Sequence, residues 1–266
     1  MITVLTNNKG GVGKTTTSVN MGAAIAQLGY KVLLIDLDAQ ANATDYCGCI
    51  TTEDTPSIYH VLFENLDVQK AIIPTICPNL YLLPANGKMK NASTRLNQDP
   101  LSGPATKLYI ALKRAGIECD YDYVFIDCPS EFDTVTANAF NASDDCIVPC
   151  VPDKFSKMGL LNILEALDTV TNNGCGTEIV LSGPVICNSR GATNIAKNNI
   201  KEIFDALPDL SYQTIIRQSV AIPLSIELSM PVVCSHPQST AALDYKSLAA
   251  EYIQRHPVRP HHVDEN

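Results

Sequence analysis

The residues best suited to chemistry cluster in the first forty positions and at one later strand end. Lys9-Gly10-Gly11-Val12-Gly13-Lys14-Thr15-Thr16 follows the short apolar run Ile2–Thr6. It opens a helix-forming stretch, Thr15–Leu28, that stops at Gly29. Glycines let the backbone curl so that successive N–H groups face phosphate oxygens. The helix that starts there adds roughly half a positive charge at its N-terminus. Lys14 has the reach for β- and γ-phosphates, and the Thr15 hydroxyl can ligate Mg²⁺. The usual G-x-x-x-x-G-K-[ST] pattern wants Gly at position 8. This chain has Asn8 there, and an additional lysine, Lys9, ahead of the glycine pair.

Two acidic sites accompany the loop. Asp36-Leu37-Asp38 follows the apolar run Lys31–Ile35, and Asp127 closes the run Tyr123–Ile126. An apolar strand that ends in Asp is the form in which a carboxylate holds Mg²⁺, often through water. Alone, either aspartate reads equally well as a loop carboxylate or a helix cap. Beside a phosphate loop, the metal reading takes precedence, and Thr15, Asp36 and Asp127 become the expected metal set.

These side chains need a frame. The unit strand–loop–helix–strand over Ile2–Ile35 is a βαβ crossover and implies a parallel sheet. Further strands are expected at Asn79–Leu83, Tyr123–Ile126, Cys146–Val151, Ile179–Ile186 and Gln213–Ile216. Helices fit between and after them at Pro104–Ala115, Thr134–Asn141, Lys157–Thr171, Asn194–Leu207 and Ser239–Gln254. Asn86–Pro104 is polar and reads as a loop. The expected fold is a single α/β domain of the P-loop NTPase type over residues 1–255. Its sheet is mostly parallel and twisted, with helices on both faces. Residues 256–266, with two prolines and three histidines, read as a disordered tail rather than a metal site.

Composition narrows the classes. The chain has 266 residues, 45% of them hydrophobic, enough to bury a sizeable core. A net charge of −9 counts against an obligate nucleic-acid domain but leaves room for a local basic patch. No signal peptide precedes the first strand, so the ten cysteines read as reduced thiols of a cytoplasmic protein. Cys47-x-Cys49 has no second ligand pair, which argues against zinc. No apolar run is long enough to span a membrane.

The pattern resembles a known family. The phosphate loop, then Asp36-Leu37-Asp38-Ala39-Gln40-Ala41-Asn42-Ala43-Thr44, is similar to the deviant Walker A ATPases of the ParA/Soj partition type. Their common form at the second motif is D-x-D-P-Q-G-N-A-T, so Ala39 and Ala41 are departures. Pro84-Ala85-Asn86, Asp127-Cys128-Pro129-Ser130 and Val148-Pro149-Cys150-Val151-Pro152 resemble the family's P-A-N, D-C-P-P and I-P-x-x-P segments. Arg217-Gln218-Ser219-Val220, Pro231 and His236-Pro237-Gln238-Ser239 match its C-terminal R-x-S-V, P and D-P-x-S. The likeness runs over residues 1–254. It separates the chain from the family's MinD-like and nitrogenase-iron-protein-like cousins.

The resemblance implies ATP and Mg²⁺ as cofactors and a slow ATPase, with Lys9, Lys14 and Asp38 as catalytic residues. Lys9 would reach across a homodimer to the partner's nucleotide, and Asp38 would orient the attacking water. The nucleotide would lie on Lys9, Gly10, Gly11, Val12, Gly13, Lys14, Thr15 and Thr16. Asn188, Arg217 and Pro223 would stand around the base, with the loop Ser219–Pro223 closing over it. Implied partners are a second copy, nonspecific DNA and a ParB-like centromere-binding protein, with no membrane. Implied localisation is cytoplasmic and nucleoid-associated. The chain begins at the first strand, so operator-specific autorepression is not expected. Ala221 stands where the family often carries a second arginine that serves DNA.

A protein-cargo positioning ATPase shares the same core and is the alternative reading. A MinD-like membrane regulator would need a basic amphipathic end, which Pro257 and Pro260 interrupt. A metabolic P-loop enzyme is disfavoured by Lys9. For DNA, the expected contacts are Arg190, Lys197, Lys201 and Arg217, with Lys197 and Lys201 at i, i+4 on one helix face. Residues 183–256 carry six cations and six acids, less acidic than the whole. The plain alternative is a solvated helix face.

Overall fold

The computed structural model describes residues 1–98, 103–154, 156–172, 178–189 and 194–258. Eight strands form one sheet: β1 Ile2–Leu5, β2 Val32–Asp36, β3 Ile73–Pro74, β4 Leu80–Leu83, β5 Tyr123–Asp127, β6 Asp145–Cys150, β7 Val180–Ser189 and β8 Ile215–Arg217. Their order is β3-β4-β2-β5-β1-β6-β7-β8. All neighbours run parallel except β3 with β4. The two-residue β3 was not anticipated from sequence. It is an edge strand ending in Pro74, too short to carry a period.

The central strands are apolar on both faces because both faces are covered. On β2, Leu33 and Ile35 enter one core while Val32 and Leu34 enter the other. On β5, Val124 and Ile126 face the first core, and Tyr123 and Phe125 the second. This is why those segments read as continuous hydrophobic runs rather than alternating ones. The helix Lys14–Ala26 lies in the second core together with the helix Thr240–Arg255. Gly22 faces the sheet, where a Cβ would stand in ordinary contact, 3.4 Å from Leu80 Cδ1 and 3.6 Å from Val32 Cγ1. The first core is closed by helices Lys107–Arg114, Thr134–Asn141 and Ser156–Asn172.

Asn86–Pro104 is not a plain loop. Gly87–Asn91 is a 3₁₀ turn, and Ala92–Asn97 is an α-helix. Met89, Ala92 and Leu96, three and four apart, are buried and supply a helical stripe that polar neighbours obscure in the sequence. Short helices at Asn42–Tyr46, Ile58–Glu64, Val68–Ala71, Ile117–Asp120, Ala221–Glu227 and Val232–Ser235 are likewise additions. Each is seven residues or shorter, below the length at which periodicity speaks.

Of the expected tail, residues 259–266 lie outside the described residues. His256 caps the last helix, its ring 4.7 Å from that of Tyr252. Among the described residues, no helix is long and apolar enough to cross a membrane.

Candidate nucleotide site

Parallel strands converge their carboxyl ends on one edge, and that edge carries the chemistry. The phosphate loop leaves β1 and is pinned from beneath by Asn7. Its Nδ2 donates to Pro149 O at 2.8 Å, and its Oδ1 accepts from Lys9 N at 3.0 Å. Gly11 and Gly13 have φ of +73° and +96°. The positive φ of Gly13 is what calls for glycine there; a Cβ would stand in ordinary contact, 3.5 Å from Cys187 Cβ. Lys14, Thr15 and Thr16 then form the first turn of the helix.

Lys14 is buried, and its Nζ donates to Ser130 Oγ at 2.7 Å. Burial lowers its pKa, opposed by the charges of Asp127, Cys128 and Asp38. Such an ammonium gains from an anion placed beside it. Thr15 Oγ1 donates to Asp127 Oδ2 at 2.7 Å. The other carboxylate oxygen, Asp127 Oδ1, is buried with no hydrogen-bond partner. Burial raises the pKa of Asp127, and the charge of Asp36 adds to the rise.

Asp36 sits directly opposite Asp127 in the β2–β5 register. Its surroundings differ. Oδ1 accepts from Asp38 N at 3.0 Å, and Oδ2 accepts from Thr44 N and Thr44 Oγ1 at 2.9 and 2.8 Å. Thr44 Oγ1 in turn accepts from Ala85 N at 3.0 Å, tying the second motif to the Pro84-Ala85-Asn86 turn. Asp36 thereby folds the segment 36–44 into a closed loop. Burial raises its pKa too, against the lowering effect of these bonds. Asp38, half-buried, accepts from Gln40 N at 2.9 Å through Oδ1. Ala41 is left-handed, with φ 53° and ψ 32°.

Lys9 Nζ is ion-paired with Asp153, just beyond β6, and its side chain is 42% exposed. A cavity of about 590 Å³ opens beside the phosphate loop. Gly11, Gly13, Thr16, Asn188 and Pro223 all line it, so the structure brings the loop and two of the three expected base-side residues together. Asn188 has φ 51° at the end of β7. The segment Ser219–Pro223 forms the cavity's far wall and enters the helix Ala221–Glu227. Arg217 does not line it. Its Nη2 and Nε hold Asp244 at 2.6 and 3.0 Å, and its backbone N donates to the same carboxylate at 2.9 Å. Lys197 and Lys201 are exposed on the helix Asn194–Ala206. Arg190 lies outside the described residues.

Ser130, Thr44, Asp153 and Asp244 were not foreseen as site residues. Two of them left a signal: Ser130 as the serine in place of a second proline after Asp127-Cys128-Pro129, and Thr44 as the last residue of the second motif. Asp153 and Asp244 act through pairings between distant segments.

Comparison with known proteins bears on this edge. Residues 1–179, which hold the phosphate loop and both aspartate sites, match a family described as AAA domain. The sporulation initiation inhibitor protein Soj of Bacillus subtilis is 33% identical over 252 residues, covering 94% of this chain and 97% of Soj. The chain belongs to the ParA/Soj family of P-loop ATPases. A chromosome partitioning protein ParA of Caulobacter vibrioides is 29% identical over 254 residues, covering 96% of this chain and 94% of that ParA. Among solved structures, a cobyrinic acid a,c-diamide synthase from Mycobacterium smegmatis with bound ATP analog and magnesium superposes with a TM-score of 0.80. It is 26% identical, and the match covers 97% of each chain. In this ParA/Soj member the donors at the loop fit a magnesium nucleotide. Thr15 Oγ1 and an unpartnered buried Asp127 oxygen are hard ligands, and Lys14 supplies charge for phosphate.

Proposed function

We propose that this chain is an ATP-driven switch for DNA segregation, slow in turnover and dependent on Mg²⁺. Thr15 and Asp127 would hold the metal, with Asp36 fixing the loop beside them. Held there, a magnesium ion would supply positive charge to offset the negative charge developing in phosphoryl transfer. Lys14 would exchange Ser130 for phosphate oxygens. Asp38, fixed by its turn with Gln40, would orient the water that attacks. Lys9 would give up Asp153 to reach a partner's nucleotide in an ATP-bound sandwich dimer. The cations of the loop are Lys9 and Lys14 with no arginine among them, and a site without an arginine finger, worth ~10³–10⁵ in rate, would turn over slowly. The dimer would hold nonspecific DNA on the nucleoid, and a ParB-like centromere-binding protein would trigger hydrolysis and release.

The observation that carries the ATPase reading is the buried, half-satisfied Asp127 beside Thr15 and Lys14. Likeness to Soj and ParA along nearly the whole chain supports segregation as the output. Sedimentation velocity tests it with protein alone, with ATP and Mg²⁺, and with random-sequence duplex added. The expected series is monomer, dimer, and dimer carried with DNA. No change on adding ATP and Mg²⁺ refutes the switch. A dimer that leaves DNA behind moves the protein-cargo reading ahead.

A further inference from the structure

The most basic stretch of this acidic sequence lies away from the C-terminal strip. Between Asn86 and Gly116 the sequence holds six cations, Lys88, Lys90, Arg95, Lys107, Lys113 and Arg114, and one acid, Asp99. That segment is +5 in a chain of −9. The fold gathers it onto one surface. Tyr59 and Phe63 pack in a tilted pair, centroids 5.0 Å apart, on the helix Ile58–Glu64. Three cations converge on this pair. Arg95 lies 5.3 Å from Tyr59 and 4.7 Å from Phe63, Lys88 lies 5.5 Å from Tyr59, and Lys107 lies 5.7 Å from Phe63. Lys107 and Arg114 continue along a groove beside Phe63. Of these cations, Lys113 is neutralised by Glu118 at 2.6 Å. Among the described residues, Lys88, Lys90, Arg95 and Arg114 have no ion-pair partner. The groove's acid, Asp67, caps the helix Val68–Ala71 by accepting from Gln69 N.

We infer that this surface, formed by the helices Ile58–Glu64, Ala92–Asn97 and Lys107–Arg114 with the turn Gly87–Asn91, contacts the phosphate backbone of duplex DNA. The inference rests on the DNA-holding reading above and relocates its contacts. Aromatic support fixes Lys88 and Arg95 without neutralising them, so little further ordering is needed on binding. Single positive charges spread along an extended surface match a ladder of phosphates. A membrane surface would want apolar residues to insert, and Ile110, at 36% exposed, is the one large hydrophobic side chain that this surface exposes among the described residues. The strip expected from sequence is weaker in comparison. Arg217 is committed to Asp244, and Lys197 and Lys201 share their helix with Glu202 and Asp205.

The test is fluorescence anisotropy of a random-sequence duplex with full-length protein, ATP analogue and Mg²⁺ across a salt series. Three proteins are compared: wild type, the triple variant Lys90→Glu/Arg95→Gln/Arg114→Glu, and the double variant Lys197→Glu/Lys201→Glu. Unchanged melting and ATP-analogue affinity certify each fold. The triple variant should lose at least about tenfold in affinity, with a log–log salt slope shallower by about two to three. The double variant should stay near wild type. If the triple variant binds like wild type while the double variant does not, the surface is misassigned and the DNA reading stands. If wild type binds no DNA at low salt, both fall. If the triple variant loses only the binding of a poly-glutamate probe and keeps DNA, the surface serves an acidic protein and the inference is overturned.

Discussion

Two strand ends meet at the nucleotide edge with aspartates in direct register, yet they are built for opposite purposes. At the end of β2, both oxygens of Asp36 are consumed by three protein donors, and the product is a closed loop that presents Asp38. At the end of β5, Asp127 accepts from Thr15 and keeps one buried oxygen unpartnered. The first carboxylate has both oxygens hydrogen-bonded within the protein; the second keeps one buried oxygen without a hydrogen-bond partner. Sequence gives both the same description, an apolar strand ending in Asp. Hydrogen-bond accounting distinguishes them, because a buried acceptor left unpaired costs about 1–3 kcal/mol and so points to a missing ligand.

Lys14 serves both ends, and removing it should have the largest effect. Lys14→Ala should weaken ATP binding by roughly 2–5 kcal/mol, since it strips the charge facing the phosphates. Wild-type affinity for a fluorescent ATP analogue would remove the phosphate-loop assignment. Next comes the contrast itself. Asp36→Ala orphans three donors and should cost about 3 kcal/mol or more of stability, read as a melting point lower by several degrees. Asp127→Asn should leave the nucleotide-free protein as stable as wild type, because it relieves a buried repulsion. Equal melting losses in the two variants would erase the distinction.

Asp38→Ala should retain ATP binding and slow phosphate release by about 10²-fold, the scale of a lost positioning group. Unchanged release would remove the water-orienting role from Asp38. The smallest effect concerns the turn that Asp36 closes. Ala41 holds a left-handed conformation where the family form has glycine. Ala41→Gly should therefore stabilise the protein by about 0.5–1 kcal/mol. A melting point that falls would show that Ala41 Cβ packs usefully.

Much of this edge was legible because local chemistry wrote it. Gly13, Lys14 and Thr15 carry their roles in a loop whose geometry their own types dictate. Long apolar runs such as Val32–Ile35 announced a sheet covered on both faces. Helices of seven residues or fewer stayed hidden, as in Ile58–Glu64, where tertiary packing and not period decides the helix. Pairings across the chain were hidden for a different reason. Nothing near Arg217 in sequence reveals that Asp244 will occupy it, and nothing near Lys9 points to Asp153. The basic surface around Tyr59 and Phe63 was hidden by both causes. Its cations are spread from Lys88 to Arg114, and the aromatic pair that gathers them lies on a short helix.

The contrast between the strand ends is tested most directly by calorimetric titration of ATP with and without Mg²⁺ into wild type and Asp127→Asn. The account predicts that wild type binds the magnesium complex more tightly than the free nucleotide. It predicts that the variant binds the two alike while still folding and still gripping phosphate through Lys14. A variant that keeps the full preference for the magnesium complex would contradict it, and would move the metal site from Asp127 to Asp36.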